Sequence, residues 1–466
     1  MKLTKEILDQ VRDIEGFPIG KDDDIIKLSD PPYYTACPNP FINDFLEKYG
    51  KPYDEETDDY NVEPYAANVS EGKNDPIYNA HSYHTKVPYK AIMRYILHYT
   101  KPGDIVFDGF CGTGMTGVAA QMCGNPDKEF KLKIEQEMGD VEWGARRAIL
   151  NDLSPAATFI AYNYNSPVDA VEFEKEAKRI LGEVEKECGW MYETQHVVDG
   201  KIQYDVTGKP IMGKVKYTVW SDVFVCPNCA NELIFWDVAV DEQNGKVKKE
   251  FQCDNCNAKL NKTGLEKAVT AIYDDMLEKK IQVSKQVPVL INYLVAKKRY
   301  NKKPNDYDLW ILEKINETKN PYWFPVNLMM FKGKKWGDSW RAGYHFGITH
   351  VHHFYTKRSL WVLSALFNRI NNMNKFSIKN KMIWSLNSIQ NYINKKQSFG
   401  GGGGGVSGTL YIPSLVQEKN IFDVYSRKLK KNIKLELDVS INDVSITTQS
   451  NTNFTSIQSD SCDYIF

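Results

Sequence analysis

The sequence predicts an α/β domain carrying two insertions, one β-rich with metal-ligand spacing and one helical and basic. Three observations predict it. An apolar strand, Ile105-Val106-Phe107, runs into an acid and a glycine-rich turn that opens a helix of small residues, Met115–Met122. Two Cys-x-x-Cys pairs sit in a stretch whose hydrophobic period is two. Residues 263–345 are basic, with aromatics interleaved in a helical reading.

Bulk composition allows a sizeable core: 42% of the 466 residues are hydrophobic and 26% charged. The net charge of −1 conceals an acidic N-terminal segment. Residues 1–80 hold 8 basic and 18 acidic residues, a balance of −10, which leaves +9 on the remainder. A basic body suits a polyanion partner; a solvated acidic face is the plainer explanation of the segment. No run of about 18 apolar residues occurs and the N-terminus has no signal-peptide core, so a soluble, cytoplasmic protein without a membrane partner is expected. Nine cysteines in this length do not read as a disulfide scaffold.

Along the chain, residues 1–80 form an acidic segment with a short helical start at Leu3–Ile14. Residues 81–167 read as helix (Tyr89–Tyr99), strand, glycine turn, helix, strand (Ala148–Leu150), and 168–215 as a connector led by an amphipathic helix. Residues 216–262 hold short strands around the cysteine pairs. Residues 263–420 are expected to be a helical basic insert, and 421–466 return to strands at Val444–Thr448 and Asp463–Phe466. Six glycines, Gly400–Gly405, ahead of Val406-Ser407-Gly408-Thr409, forfeit too much backbone entropy for a helix or strand interior and predict a loop.

The turn is Asp108-Gly109-Phe110-Cys111-Gly112-Thr113-Gly114. Its glycines let backbone approach a nucleotide-like ligand, and the helix that follows offers free N–H groups. Gly112-x-Gly114-x-x-Gly117 also satisfies a dinucleotide pattern, but Asp108 precedes that pattern by four residues, whereas a dinucleotide fold reaches its glycines directly from the strand.

This segment resembles the DNA amino-methyltransferases, whose signature Asp-Pro-Phe-x-Gly-x-Gly it matches with Gly109 in place of Pro. The resemblance implies a Rossmann-like fold that uses S-adenosylmethionine, the turn (Asp108, Gly109, Phe110, Cys111, Gly112, Gly114) cradling its methionine part. It implies that Asp152 binds the ribose hydroxyls and that Leu153-Ser154-Pro155 lies along the adenine. His84-Thr85-Lys86-Val87-Pro88 resembles the family segment that touches the cofactor carboxylate, which assigns Thr85 and Lys86 there. The general likeness covers residues 81–165 and 440–466; elsewhere the chain resembles larger bacterial methylases of restriction or defence systems.

In that family an Asp/Asn/Ser-Pro-Pro-Tyr/Phe tetrapeptide follows a strand such as Asp463–Phe466, and the chain ends there, so an inactive fragment is expected. A copy occurs earlier, at Asp30-Pro31-Pro32-Tyr33, after a modest strand, Asp24–Leu28. An aromatic amine is a poor nucleophile; a carboxylate and a proline-fixed carbonyl can accept its two N–H groups while the aromatic ring stacks on a flipped base. That copy is the candidate catalytic set, with a plain Pro-rich loop as its alternative. Covalent cytosine-C5 chemistry is disfavoured, since no Pro-Cys dipeptide occurs.

Cys226, Cys229, Cys253 and Cys256 form two knuckles suited to one tetrahedral, structural zinc. His350, His352 and His353 have no carboxylate at a ligand spacing nearby, so DNA contact through Tyr355, Lys357 and Arg358 is the preferred reading, against plain packing. The tryptophans of residues 310–340 read as core. The combined reading is a methyltransferase of double-stranded DNA acting on adenine N6. N4-cytosine or RNA methylation, and a non-catalytic zinc-containing DNA-binding subunit, are the alternatives.

Overall fold

Alternation within four short apolar runs decides how the first sheet faces its surroundings. The structure, a computed structural model, describes residues 1–83, 86–241, 245–329, 347–402, 404–405, 411–435, 437–452, 454 and 457–466. It divides into two units. The first is Met1–Phe173, Lys375–Ser385 and Lys431–Phe466; the second is Glu174–Asn374 and Leu386–Lys430.

In the first unit β1 (Ile105–Asp108), β2 (Arg147–Asp152), β3 (Val444–Thr448) and β4 (Tyr464–Ile465) form a parallel sheet in the order β3-β2-β1-β4. Val106, Ala148, Leu150, Val444 and Ile446 share a core with α1 (Tyr89–Tyr99), α2 (Met115–Met122) and α3 (Pro155–Asn165), through residues such as Met93, Val118 and Phe159. Ile105, Phe107 and Ile149 pack instead with Ile42 and Leu46 of the helix Ile42–Tyr49. Both faces are therefore covered, as a parallel sheet requires. Ser154 caps α3 by accepting the Ala157 N–H at 3.4 Å, and Pro155 opens it. Outside β3, residues 33–37 run parallel to it: the Ile446 N–H donates to the Tyr33 carbonyl at 2.7 Å and the Thr448 N–H to that of Cys37 at 3.1 Å.

The second unit is built on an antiparallel sheet whose central strand, Met212–Val225, pairs with Gln286–Val295, Leu415–Lys419, Glu193–Gln195, Glu232–Ile234 and Glu266–Lys267. Of the helical insert expected at residues 263–345, the described residues 263–329 are mainly β instead. Val269–Asp274 pairs with Lys279–Ser284, and Gln286–Val295 with Lys298–Lys302, leaving Asp306–Glu317 as the helix. Runs such as Gln286-Val-Pro-Val-Leu-Ile are rich in β-branched residues, and cross-strand packing outweighs the helical spacing of the interleaved aromatics. A second correction concerns Asp24–Leu28, which belongs to a helix, Asp22–Leu28, with three aspartates in its first turn. Trp310 and Trp323 are exposed, contrary to the core reading; Trp336 and Trp340 lie outside the described residues, as do Thr85 and Val406–Leu410. In the polyglycine run, Gly400 and Gly402 take positive φ, which suits the expected loop. No described helix is long and apolar enough to cross a membrane.

Candidate functional site

The glycine turn is held by its own two acids. Asp108, buried at the end of β1, accepts the Phe110 N–H at 3.0 Å and the Thr116 hydroxyl. Burial pushes its carboxyl up, and those hydrogen bonds oppose the shift. Asp152, at the end of β2, accepts the Gly112 N–H at 3.0 Å on one oxygen and the Ser154 N–H at 2.8 Å on the other. The Cys111 N–H donates to the Asn151 carbonyl at 2.8 Å, which ties the turn to β2.

Gly114 takes φ +70°, and a Cβ there would lie 2.6 Å from that of Ala161 on α3. At Gly109, where the family pattern has proline, a Cβ would lie 2.6 Å from the side-chain amide of Asn451. Asn451 follows β3, and nothing local in the sequence announces its contact. Tyr83 was also missed; its ring covers Gly112, 3.4 Å from where a Cβ would stand. Burial raises its phenol, and the charge of Asp152 adds to that.

Two apolar side chains at the turn face outward, and one polar atom of the turn is buried. Phe110 is 80% exposed and Leu153 59%, two apolar side chains flanking the acids. Thr113 Oγ1 is buried with no partner among the described residues. The cradle thus offers apolar surface, a spare polar atom and two carboxylates with remaining lone pairs.

Other expected cofactor residues are engaged elsewhere. The Lys86 ammonium donates to the carbonyls of Tyr78 and His81, within its own loop. Ser154 is used as a helix cap. Cys111 is buried, which pushes its thiol up. Asp30 accepts the Tyr162 hydroxyl at 2.8 Å. It pairs with Tyr34, Tyr34 with Ile446, Ile446 with Leu150 and Leu150 with Asp108. Asp30–Tyr33 thus sit in a turn beside β3, on the side of β3 away from β2 and β1. β4 lies beside β1, with Tyr464 opposite Val106.

Residues 27–144 match the family described as DNA methylase, a stretch containing both Asp30–Tyr33 and the glycine turn. Over those residues the chain is similar to the DNA methylase family. No curated protein and no solved structure matches it.

Outside the methylase match, the four cysteines converge. Cys226 Sγ is 3.8 Å from Cys256 Sγ, and Cys229 Sγ 3.7 Å from Cys253 Sγ. Those separations are far beyond the ~2.05 Å of a disulfide. The two knuckles are built alike. Each first cysteine accepts the N–H of the residue four on (Ala230, Asn257), and both of these residues take left-handed φ, +56° and +60°. The Asn228 amide donates to Cys256 Sγ at 3.3 Å and heads the causes that bring that thiol to about 6. This set could hold a metal.

The histidine segment departs from its expected role. Arg358 is buried, its guanidinium paired with buried Glu418 at 2.5 Å, and Tyr355 donates to Gln390 at 2.7 Å. Lys357, half-buried, lies 3.4 Å from the Asp275 carboxylate. The missing carboxylate is Asp274, which meets His352 and His353.

Proposed function

We propose that the chain is an S-adenosylmethionine-dependent methyltransferase of double-stranded DNA, acting on the exocyclic amine of adenine. N4-cytosine is the alternative base. The observation carrying this reading is the turn closed by Asp108 and Asp152 with exposed Phe110 and Leu153 beside it. When bound, S-adenosylmethionine supplies the methyl group. Asp108, fixed by Thr116, offers charge to an ammonium; Asp152 keeps lone pairs for ribose hydroxyls; Phe110 and Leu153 offer apolar contact to a purine. Calorimetry with S-adenosylmethionine should register binding to the wild type and none to Asp108→Ala. Equal binding by both, or tighter binding of NAD, would overturn the assignment.

The amine needs an acceptor close to the turn, and the position of Asp30 favours a second reading, in which these 466 residues bind cofactor and DNA without transferring methyl. Tritium transfer from labelled cofactor to DNA separates the two. Incorporation that is lost by about 100-fold in Asp30→Ala, with cofactor affinity intact, would make Asp30 the acceptor. Incorporation unchanged in Asp30→Ala would remove Asp30–Tyr33 from the chemistry.

The cysteine cluster is assigned a structural zinc. Four sulfurs at ~2.3 Å from a tetrahedral ion stand about 3.8 Å apart, which agrees with 3.7 and 3.8 Å here. A closed thiolate shell leaves no position for substrate, so its role is to hold the ribbon. Target recognition is assigned to the second unit. Partner subunits of a restriction or defence system rest on the sequence resemblance alone.

A further inference from the structure

The second unit contains a cavity of about 620 Å³. In its wall Asp274, the last residue of the strand Val269–Asp274, meets the 3₁₀ turn Val351–Phe354. Asp274 Oδ1 accepts the N–H groups of Met276 and Leu277 at 3.0 and 3.1 Å, which fixes the carboxylate and leaves Oδ2 facing the histidines. His352 Nε2 lies 2.9 Å from Oδ2 and His353 Nε2 2.8 Å. All three side chains are buried, and the two ring centroids are 4.2 Å apart. His352 is 8% exposed, and its Nδ1 has no partner among the described residues.

We propose that Asp274, His352 and His353 form a second metal site, for a divalent transition ion and zinc first, whose open coordination position faces the cavity. Two imidazoles and a carboxylate are a borderline ligand set that suits zinc. Three protein ligands with an open fourth position are the arrangement of a reactive site, unlike the closed cysteine shell. Donors at ~2.0–2.1 Å from a tetrahedral ion stand about 3.3 Å apart, so the observed N···O separations need open by only about half an ångström. The carboxylate is already oriented by two backbone N–H groups, the support that metal ligands use. Lys357 and Lys395 line the same cavity, together with Asp275, which Lys357 meets at 3.4 Å.

The rival arrangement is a carboxylate accepting two N–H groups, and it differs in where the protons sit. His353 Nδ1 lies 3.2 Å from the Thr349 N–H and 3.5 Å from the Thr349 hydroxyl. In the rival, both Nε2 atoms carry protons and His353 Nδ1 accepts from the Thr349 backbone. In the metal site both Nε2 atoms are deprotonated, so His353 Nδ1 carries a proton for the Thr349 hydroxyl, and the Thr349 and His350 N–H groups, which reach Nδ1 at 3.2 and 3.4 Å, must turn away from it.

This site is independent of the methyltransferase reading, and its test uses the intact chain and zinc alone. Chain equilibrated with zinc and then freed of excess should carry two ions. A mercurial thiol reagent should release one, from the cysteines, and leave the other in place. His353→Gln and Asp274→Asn should each lose the thiol-resistant ion and keep the thiol-bound one, while Cys226→Ser should do the reverse. The thiol-reagent measurement needs no variant, so it stands even if a substitution fails to fold. Release of all bound zinc by the reagent, or retention of a thiol-resistant ion by both His353→Gln and Asp274→Asn, would overturn the proposal.

Discussion

The glycine turn of the first unit and the Asp274 cluster of the second are both buried polar sites, yet they are assembled by opposite means. Asp108, Phe110 and Thr116 belong to one stretch, and the hydrogen bonds of that carboxylate span at most eight residues. Asp274 and His352 are 78 residues apart and meet through an antiparallel hairpin and a 3₁₀ turn. The first site is shaped by glycine geometry within one turn; the second joins three side chains from two separate segments, with backbone N–H groups orienting the carboxylate. A site of the first kind is written as a motif; a site of the second exists only once the fold is made.

The comparison can be broken most severely by removing zinc. Structural zinc ligation is worth about 10–16 kcal/mol of folding free energy in small modules. Chelation, or Cys226→Ser, should therefore abolish hydrogen-exchange protection in Glu232–Ile234, Glu250–Gln252 and Lys259–Asn261. β1, β2 and β3 should keep theirs. Equal loss in both units would mean that they are not energetically separate.

Next in size is the Arg358–Glu418 pair, buried at both ends. Arg358→Ala strands a buried carboxylate and should cost about 3–5 kcal/mol in chemical denaturation. Burial alone would raise the Glu418 carboxyl, but Arg358 and its hydrogen bonds hold it below the ordinary 4.5. Its folded value is thus depressed: the stabilisation is complete above 4.5 and is lost as pH falls below it. Wild type should lose stability in that acid window more steeply than Glu418→Gln.

Gly114→Ala sharpens the contrast from the other side. The left-handed φ and the 2.6 Å approach to Ala161 should together cost about 3 kcal/mol and weaken cofactor binding. The smallest expected effect is that of Thr116→Val, which removes one hydrogen bond to Asp108 at about 1.5 kcal/mol. Its readout is a modest drop in cofactor affinity by calorimetry, with zinc content unchanged.

What could be read from the sequence follows the same division. β1, the turn and α2 were legible because strand, glycines and helix are consecutive; Val444–Thr448 was read with its observed bounds. The cysteine knuckles were legible for the same reason. The β character of residues 266–302 was not, because interleaved aromatics imitate a helical face and the pairing partners lie as far off as Met212–Val225. Asn451, Tyr83 and Asp274 were invisible, since each acts on a residue brought near by the fold. Asp30–Tyr33 is the opposite case: four residues with suitable chemistry in one run, whose partner Ile446 on β3 no local pattern announces.

The parallel sheet also imposes an order on synthesis. β2 finds β3 about 300 residues later, and β1 finds β4 later still. Residues 174–374, most of the second unit, leave the ribosome in between. The cofactor half must therefore wait, with one edge of β2 and one edge of β1 unpaired, while the antiparallel sheet and its cysteine knuckles are being made. Contacts of such long sequence separation form slowly, and open strand edges invite wrong partners. The zinc proposed for the ribbon would then be captured before the sheet that carries the glycine turn is complete.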